Sequence, residues 1–430
     1  MTILRHALVL TMDEQRHVYD DGYVAFDERG IRSVGSEPCP FEGGEDCHGM
    51  LVMPGMCNTH THMGMVPFRS LADDYPDRLR RFLMPLEDIA MDARLARTSS
   101  SLAMAEMLLS GVTSAVDMYY FESEVAKEAC SMGFRLWAGE TFLDGQHCDA
   151  REIDASFREV EKTMEVAQGN PLVRAVIAPH APYSVGMDTL QRCVRFAREM
   201  RLPWTMHLAE MPFEMEEFRT KWHESPVMAL CDNGLLDEDF LAVHVLHADD
   251  ADIKALSLNH VAISHCPVSN AKAAKGVAPA VEMAEAGCLV TLGTDGPASG
   301  NTLDLFTQMR SYAILQKNRL HDRSAVPARD IVPLVTANPG KALHAPIGML
   351  KEGYQADITV LSLASPNMVP CHDPYSVVVY SAQSRNVSEV FVQGKRLVSH
   401  GDLVCVPYED LLEAFRQASA QFNREALKRL

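Results

Sequence analysis

The chain has 430 residues, of which 47% are hydrophobic and 23% are charged, a composition typical of a globular protein of enzyme size. This length suffices for one large α/β domain with a smaller one attached, because single hydrophobic cores stop growing at roughly 250–300 residues. Acidic residues outnumber basic ones by 58 to 39, and the resulting formal net charge of -19 disfavours a nucleic acid as partner.

The cysteines and the first residues of the chain indicate its compartment. Eleven cysteines are scattered without any Cys-x-x-Cys pair, which favours free thiols in a reducing compartment over disulfides or a cysteine zinc site. The apolar run before Asp13 and Glu14 is too short for a signal peptide, and no run of about 20 apolar residues could span a bilayer. We therefore expect a cytoplasmic protein without a membrane partner.

Both ends of the chain are rich in predicted strands. Residues 1–53 alternate apolar runs with turn residues (ALVLTM, DDGYVAF, GIRSVG), and a similar pattern returns in ADITVLSL and SEVFVQGKRLVSHGD. We expect a small β-sandwich subdomain assembled from both termini, residues 1–54 and 356–430. From Tyr408 onward, apolar residues at helical spacing predict a surface helix.

The middle of the chain, residues 55–355, repeats a predicted strand followed by a helical pattern such as those at 92–109, 187–200 and 278–286. The predicted strands are LVMPGMCN, GVTSAVDM, FRLWAGE, VRAVIAPH, PWTMHLAE, FLAVHVLH, HVAISHCP and LVTLGTDG. Eight such units over about 300 residues predict an α/β fold of the (β/α)8 or TIM-barrel type. A doubly wound open sheet is the alternative, which the lack of a glycine-rich phosphate loop after the first strand disfavours.

Ionisable side chains recur where these predicted strands end. His60 and His62 follow the apolar run Met50–Met53, and alternate residues of a strand point to the same face, so their imidazoles would project side by side. The others are Asp117, Glu140, His180, His207, Glu210, His244, His265 and Asp295. Each alone is compatible with a structural role. Their gathering at the C-terminal ends of the strands, where barrels carry their active sites, predicts a functional site.

These residue types suit a divalent metal ion. Imidazole nitrogens and a carboxylate are ligands of Zn2+ and similar ions, with one position left open for water. An ion held in this way would lower the pKa of a bound water toward neutrality. The chain lacks both the Pro-Cys-x-x-Cys of nucleic-acid base deaminases and the His-Glu-x-x-His of metalloproteases, so those two classes are excluded.

Four segments, PGMCNTHTH, TMHLAE, AVHVLH and LGTDGPAS, resemble the signatures of the amidohydrolase superfamily, in its cytosine deaminase-like and chlorohydrolase-like branch. The resemblance covers nearly the whole chain. It implies one divalent ion bound by His60, His62, His207 and Asp295, because His180 stands where binuclear relatives carry a bridging lysine. Zn2+ is the first expectation, with Fe2+ and Mn2+ as alternatives, since the ligand set suits all three.

The same resemblance implies a hydrolytic deaminase and a role for each further residue. Asp295 would accept a proton from the attacking water, His244 would hydrogen-bond that water, and Glu210 would carry a proton to a ring nitrogen of an aromatic substrate. His244 and His247 are three residues apart in one predicted strand, so that only one of them can face inward, and the motif favours His244. The role of His265 is left open.

The loop after the two histidines, FRSLADD followed by PLE, is similar to that of the deaminases of S-adenosylhomocysteine and 5′-methylthioadenosine. This similarity implies that Glu87 binds the ribose hydroxyls and that His180, in APHAPYS, contacts the purine, which suits the hydrogen-bonding capacity of both groups. The segment GETFLDGQHCD differs from that subgroup, in which an arginine often contributes. Arg69 and Arg135 are candidates to replace it.

Other functions stay open at this point. The substrate could be a free base, such as guanine, 8-oxoguanine, a pterin or a cytosine-like base. A triazine-type chlorohydrolase is a further alternative, although such relatives commonly lack the glutamate that Glu210 represents. An inactive scaffold barrel is the most distant one, because none of the implied ligands is lost. In every active case we expect a small-molecule substrate and, from the family, a homo-oligomer.

Overall fold

A computed structural model of the chain describes residues 1–76 and 78–429 and divides its strands between two sheets. One is an eight-stranded parallel barrel, and the other is a mixed sheet of nine strands drawn from both ends of the chain. The predicted α/β fold, a (β/α)8 barrel with a small β subdomain built from both termini, is confirmed, and the strands of the predicted β-sandwich are joined in one mixed sheet. None of the described helices combines the length and the apolarity that a membrane crossing requires.

The barrel strands follow one another around the sheet in chain order and coincide with seven of the eight predicted runs, the first being displaced. They span Met56–Thr61, Val112–Tyr119, Arg135–Phe142, Val173–Pro179, Trp204–Leu208, Phe240–His244, Ala262–His265 and Leu289–Leu292. Their residues are almost all buried, because side chains fill the inside and helices cover the outside. The last strand meets the first where the backbone N–H groups of Thr294 and Asp295 donate to the carbonyl of His60 (3.1 and 3.0 Å).

Helices connect the barrel strands and extend to the C-terminal end of the chain. The α-helices are Met84–Ala90, Ala93–Leu109, Glu122–Met132, Ile153–Gly169, Met187–Met200, Pro212–Trp222, Pro226–Asp232, Asp250–Leu258, Pro267–Lys272, Ala280–Glu285, Leu305–Leu320, Ala328–Ile331, Ala337–Ala342, Pro374–Ser376, Tyr408–Ala418 and Ala420–Leu427. Shorter 3-10 turns span Met63–Phe68, Val332–Val335 and Ser384–Asn386, and π-helical turns span Leu79–Leu83 and Val377–Ser381.

The mixed sheet joins the two ends of the chain. Its strands are Thr2–Leu10, Val18–Asp27, Gly30–Ser36, Glu45–Asp46, Met50–Pro54, Ile358–Ser362, Val387–Val392, Lys395–Ser399 and Asp402–Leu403. The N-terminal and C-terminal parts meet where Met50–Pro54 pairs antiparallel with Ile358–Ser362. Apolar side chains of both parts, such as Phe26 and Phe391 with ring centres 5.0 Å apart, form a core separate from the barrel.

The chain passes from the mixed sheet to the barrel at Gly55. The apolar run Met50–Met53, expected to lead directly into His60, belongs to the mixed sheet, and the first barrel strand is the next segment, Met56–Thr61, with His60 inside it. A Cβ atom on Gly55 would lie 2.3 Å from the side chain of Thr113, so glycine alone fits this crossing. The segment LVMPGMCN, predicted as one barrel strand, is thus divided between strands of two sheets, because a buried apolar run does not reveal which sheet it joins.

The C-terminal segment also differs from its prediction. Two helices, Tyr408–Ala418 and Ala420–Leu427, replace the single surface helix. Phe422 in the second is 1% exposed, and its ring packs edge-on against Phe68, with ring centres 4.6 Å apart. Since Phe68 lies in the turn that follows His62, the end of the chain supports the loop beside the barrel mouth.

Candidate functional site

Three of the predicted metal ligands converge at the C-terminal end of the barrel. His60 lies in the first barrel strand, His62 follows that strand, and His207 lies in the fifth. Each offers a ring nitrogen, and these nitrogens all lie within 4.8 Å of one another. The Nε2 atoms of His60 and His207 are 3.2 Å apart. Two buried imidazole nitrogens at this distance repel each other unless a proton or a cation lies between them.

The hydrogen bonds of these histidines leave the nitrogens that face one another free to bind a metal. Nδ1 of His62 donates to the carbonyl of Met118 (2.5 Å), and Nδ1 of His207 donates to the carbonyl of His180 (2.8 Å). A neutral imidazole that donates through Nδ1 presents an unprotonated Nε2, which is the form that binds a metal. Burial lowers the pKa of His60 and of His207 well below the ordinary value, which also favours the neutral form. For His62, the hydrogen bond and charge of Asp295 outweigh burial and raise the pKa to about 9, so an ion that binds there displaces a proton.

Asp295 completes the predicted set of four. Its Oδ1 lies 3.3 Å from Nε2 of His62 and accepts from the backbone N–H of Gly296 (2.6 Å), and its Oδ2 accepts from the hydroxyl of Ser269 (2.5 Å). The donor set of three imidazoles and one carboxylate therefore fits a divalent ion. These contacts also fix the orientation of the Asp295 carboxylate.

Backbone strain marks the same end of the barrel. Ala209, His244 and Asp295 have φ angles of 49°, 71° and 60°, in the left-handed region that residues other than glycine rarely adopt. All three stand just beyond or at the end of a barrel strand. Strained conformations of this kind cluster at functional sites, where the surrounding structure holds a side chain in one direction.

Glu210 lies beside His244, as the two roles predicted for them require. Oε1 of Glu210 is 3.4 Å from Nε2 of His244 and also contacts the ammonium of Lys275. The ring of His244 stacks on that of His207, with centres 5.3 Å apart. Burial alone would raise the pKa of Glu210, but its interactions with His244 and with the ammonium of Lys275 outweigh burial and lower the pKa to about 2. Glu210 is therefore ionised at neutral pH.

The two predicted substrate contacts, Glu87 and His180, lie at the same end of the barrel. Oε1 of Glu87 accepts from the hydroxyl of Tyr119 (2.8 Å), and burial raises the pKa of Glu87 to about 7. Nδ1 of His180 is 2.7 Å from the hydroxyl of Ser184, and its ring centre is 4.9 Å from that of His207. Glu87 and Ser184 both line a cavity of about 670 Å³.

Comparison with known proteins agrees with the barrel and its histidines. Residues 51–397 match the model of the amidohydrolase family. The chain belongs to this family. Such a match extends over the whole barrel and part of the mixed sheet, from the strand Met50–Pro54 to the strand Lys395–Ser399.

Two curated relatives show where this amidohydrolase stands within the family. The 5-methylthioadenosine/S-adenosylhomocysteine deaminase of Pyrococcus furiosus is 34% identical over 418 residues, which cover 96% of this chain and 99% of the relative. The 5′-deoxyadenosine deaminase of Methanopyrus kandleri is 37% identical over 377 residues, which cover 87% of each chain.

Solved structures have the same fold. An adenosine deaminase from Xanthomonas campestris with bound zinc superimposes with a TM-score of 0.94, at 28% identity and with 98% of each chain covered. The atrazine chlorohydrolase of Arthrobacter aurescens superimposes with a TM-score of 0.86, covering 97% of this chain and 100% of its own. At 21% identity, the second similarity shows the fold alone.

Several predicted residues of this amidohydrolase lie away from the site or have other partners. Arg135 forms a buried ion pair with Asp357 (2.6 Å) that ties the barrel to the mixed sheet, and Arg69 pairs with Glu106. His247 is only partly buried, whereas His244 is 1% exposed and faces inward. Neither arginine is therefore free to bind a substrate, and the strand presents one histidine to the site.

The carboxylates Asp117 and Glu140 are buried and bind the backbone of neighbouring elements, and the histidine His265 is buried beside Tyr312. Asp117 Oδ1 accepts from the backbone N–H of Met63 (2.8 Å), which fixes the turn just after His62. Glu140 Oε2 accepts from the backbone N–H of Glu122 (3.2 Å). The ring of His265 lies 6.0 Å from that of Tyr312, centre to centre. Their positions at strand ends were correctly recognised, but the contacts are structural.

Two residues of the site were missed by the sequence analysis. Lys275 follows the helix Pro267–Lys272, 65 residues from the glutamate that it contacts, and no local pattern connects them. Glu214 accepts from the backbone N–H groups of Ala209 and Glu210 (both 2.9 Å) and so holds the turn that carries Glu210. The sequence does indicate this role of Glu214, because a glutamate in the first turn of a helix that begins at a proline commonly caps that helix.

Proposed function

We propose that this amidohydrolase is a hydrolytic deaminase of adenosine derivatives, with S-adenosylhomocysteine, 5′-methylthioadenosine and 5′-deoxyadenosine as candidate substrates. One observation carries the proposal: the carboxylate of Glu210 stands 3.4 Å from His244, beside a histidine group suited to a metal ion. Hydrolysis at an amine-bearing ring carbon requires a group that protonates the adjacent ring nitrogen, and Glu210 is positioned for that task. The deaminases among the relatives support it.

His60, His62, His207 and Asp295 would hold one divalent ion, and we propose Zn2+, with Fe2+ or Mn2+ as alternatives. The zinc in the related adenosine deaminase structure supports this choice. When bound, such an ion lowers the pKa of a water molecule to near neutrality and so supplies the nucleophile.

The residues of this chain would divide the proton transfers between them. Asp295, held by Ser269 and Gly296, accepts a proton from the attacking water, and His244 hydrogen-bonds that water. Glu210 receives the other proton of that water and delivers it to the ring nitrogen next to the amine-bearing carbon. The carbon–nitrogen bond to the amine then breaks, ammonia leaves with the proton that Asp295 took up, and the ring retains a carbonyl.

Two residues would orient the nucleoside. Glu87 accepts hydrogen bonds from the ribose hydroxyls when it is ionised, and Tyr119 holds its carboxylate in place. His180, whose Nδ1 faces the hydroxyl of Ser184, presents its other nitrogen to the purine. Deamination of a free base would leave Glu87 without a partner in the substrate, so Glu87 favours a nucleoside.

Ammonia release tests the proposal. The purified metal-loaded protein should release ammonia from 5′-deoxyadenosine, 5′-methylthioadenosine or S-adenosylhomocysteine, and not from guanine, 8-oxoguanine, cytosine or a pterin. A Glu210→Gln variant should keep its metal and lose about 100-fold or more of its kcat, because the proton donor is removed. Ammonia release from the free bases alone, or chloride release from a triazine, would contradict the proposal.

Removal and replacement of the metal test the cofactor. Dialysis against a chelator should abolish turnover, and addition of Zn2+ should restore it. Higher turnover after addition of Fe2+ or Mn2+ would instead favour one of these alternative ions. An inert protein that purifies without stoichiometric metal would instead support the inactive scaffold. We also propose a cytoplasmic location and a homo-oligomeric state, which fractionation and light scattering would test.

A further inference from the structure

The cavity of about 670 Å³ adjoins both residues proposed to orient the nucleoside. Glu87 is part of its wall, and so is Tyr183, whose ring centre lies 5.9 Å from that of His180. Ser184, which hydrogen-bonds His180, also lines it. A nucleoside with its base at His180 and its ribose at Glu87 therefore directs its 5′ substituent into this cavity.

The ionisable side chains that line this cavity are mainly acidic. Four carboxylates line it: Glu87, Asp88, Asp144 and Glu217. Among the described residues of its wall are also two basic side chains, and both already have acidic partners: the ammonium of Lys221 contacts Glu217, and Nδ1 of His147 is 2.8 Å from a carboxylate oxygen of Asp149. A carboxylate that entered would lose water beside Asp88, Asp144 and Glu217, and beside Glu87 when that group is ionised, while both basic side chains of the wall are already paired.

Aromatic side chains line the same cavity and suit a cation. Trp222 and Phe218 belong to the helix Pro212–Trp222 and line the cavity, as does Tyr183, which lies beside His180. Aromatic faces attract ammonium and sulfonium groups, and they also accept uncharged thioethers at no electrostatic cost.

We infer that this site selects adenosine derivatives whose 5′ substituent is cationic or uncharged and discriminates against those whose 5′ substituent carries a carboxylate. The inference rests on the proposed function and narrows its substrates. The side chain of S-adenosylhomocysteine ends in both an ammonium and a carboxylate. We therefore expect a lower kcat/KM for this compound than for 5′-methylthioadenosine or for thioethers that carry an amine alone.

A matched pair of substrates isolates the carboxylate. S-adenosylhomocysteine and S-(3-aminopropyl)-5′-thioadenosine differ only in that group. The kcat/KM for ammonia release should be higher for the aminopropyl compound by about tenfold or more, because like charges brought together in an interface cost several kcal/mol. 5′-Methylthioadenosine serves as the uncharged reference in every measurement.

A matched pair of variants then tests whether the lining causes the preference. Glu217→Gln removes one carboxylate and releases Lys221, so the ratio of the two kcat/KM values should fall by several-fold. Glu216→Gln makes the same change in net charge one residue away, on an exposed side chain outside the cavity wall, and should leave the ratio unchanged.

Arg80 provides the rival explanation. It is not part of the cavity wall, but its charge acts on Tyr183, which is, so a carboxylate in the cavity would be attracted to Arg80. Equal or better turnover of S-adenosylhomocysteine, lost selectively in Arg80→Met, would overturn the inference and leave the proposed function intact. An unchanged ratio in Glu217→Gln would overturn it as well. A wild-type protein that releases no ammonia from any of the three compounds would overturn the proposed function together with this inference.

Discussion

At the scale of single residues, Lys275 determines the charge of the proposed proton carrier. Its ammonium contacts the same oxygen of Glu210 that faces His244, and the pair is largely buried. A Lys275→Met variant should raise the pKa of Glu210, because burial then acts with less opposing charge. The ionised fraction of Glu210 at a given pH falls as this pKa rises, so the acid limb of the kcat/KM profile should move to higher pH.

The profile is measured from about pH 5 to about pH 9 with Lys272→Met as the control. Lys272 lies on the same segment, but its ammonium contacts Asp73 (3.0 Å) and Asn301 (2.6 Å). Lys275→Arg should restore the original profile in part, since the charge is kept. Identical profiles for the two methionine variants would show that Lys275 has no influence on Glu210.

Glu87 provides a second test at this scale. Glu87→Gln removes the ionised acceptor for a ribose diol but keeps the shape of the side chain and its contact with Tyr119. We expect KM for 5′-deoxyadenosine to rise by about tenfold, since a hydrogen bond to a charged group contributes about 1.5–3 kcal/mol. The same substitution should change KM little for a 2′,3′-dideoxy analogue. An equal rise for both substrates would place the ribose elsewhere.

At the scale of elements, three carboxylates surround the N-terminus of the helix Glu122–Met132. The backbone N–H of Phe121 donates to Asp149 (2.7 Å), that of Glu122 to Glu140 (3.2 Å), and that of Ser123 to Glu159 (3.2 Å). The first N–H groups of a helix have no partner within it, and its positive end attracts anions. The hydrogen bond to this helix end accounts for the burial of Glu140, which the sequence predicts as a candidate site residue.

The side chain of Glu122 makes stability depend on pH. It is fully buried, and burial together with the neighbouring charge of Asp117 raises its pKa well above the ordinary value. A carboxyl that is protonated when folded and ionised when unfolded contributes stability at acidic pH, and this contribution is lost as the pH rises. Glu122→Gln should therefore increase the free energy of unfolding at pH 8 relative to pH 5, compared with the original protein.

Denaturant unfolding at several pH values measures this difference, with about 1.4 kcal/mol per pH unit as its upper slope. Glu124→Gln is the control, because Glu124 lies two residues along the same helix, is half-exposed and pairs with Lys127. A Glu122→Gln variant whose stability follows the same pH dependence as Glu124→Gln would refute the assignment.

The barrel strands and the side chains at their ends could be predicted from the sequence. Each barrel strand is a short apolar run, and the chain order of the runs fixes which strand ends meet, so His60, His207 and Asp295 could be assembled from sequence alone. The contact between Glu210 and Lys275 could not be predicted, because Lys275 lies in a loop 65 residues further along the chain. The division of LVMPGMCN between two sheets was equally hidden, since both sheets bury apolar strands. The local sequence pattern therefore predicts which segments form strands, whereas contacts between side chains of distant loops depend on the folded structure.

At the scale of the whole molecule, the C-terminal helices are connected to the proposed substrate loop through one hydrophobic cluster. Phe422 contacts Phe68, and the cluster also contains Leu86, the residue before Glu87. Phe68 is in turn part of the turn that begins right after His62. Loss of packing at the end of the chain should therefore reach the residues that orient the nucleoside.

Phe422→Ala tests this connection, with Phe26→Ala as its matched control. Each removes a fully buried ring from an edge-on aromatic pair, Phe422 with Phe68 and Phe26 with Phe391, so each should lower the free energy of unfolding by about 3–5 kcal/mol. Only Phe422→Ala should also raise KM for the nucleoside, because only that ring supports the loop between His62 and Glu87. Metal content should be unchanged in both. Equal effects of the two substitutions on KM would mean that the C-terminal helix acts on stability alone.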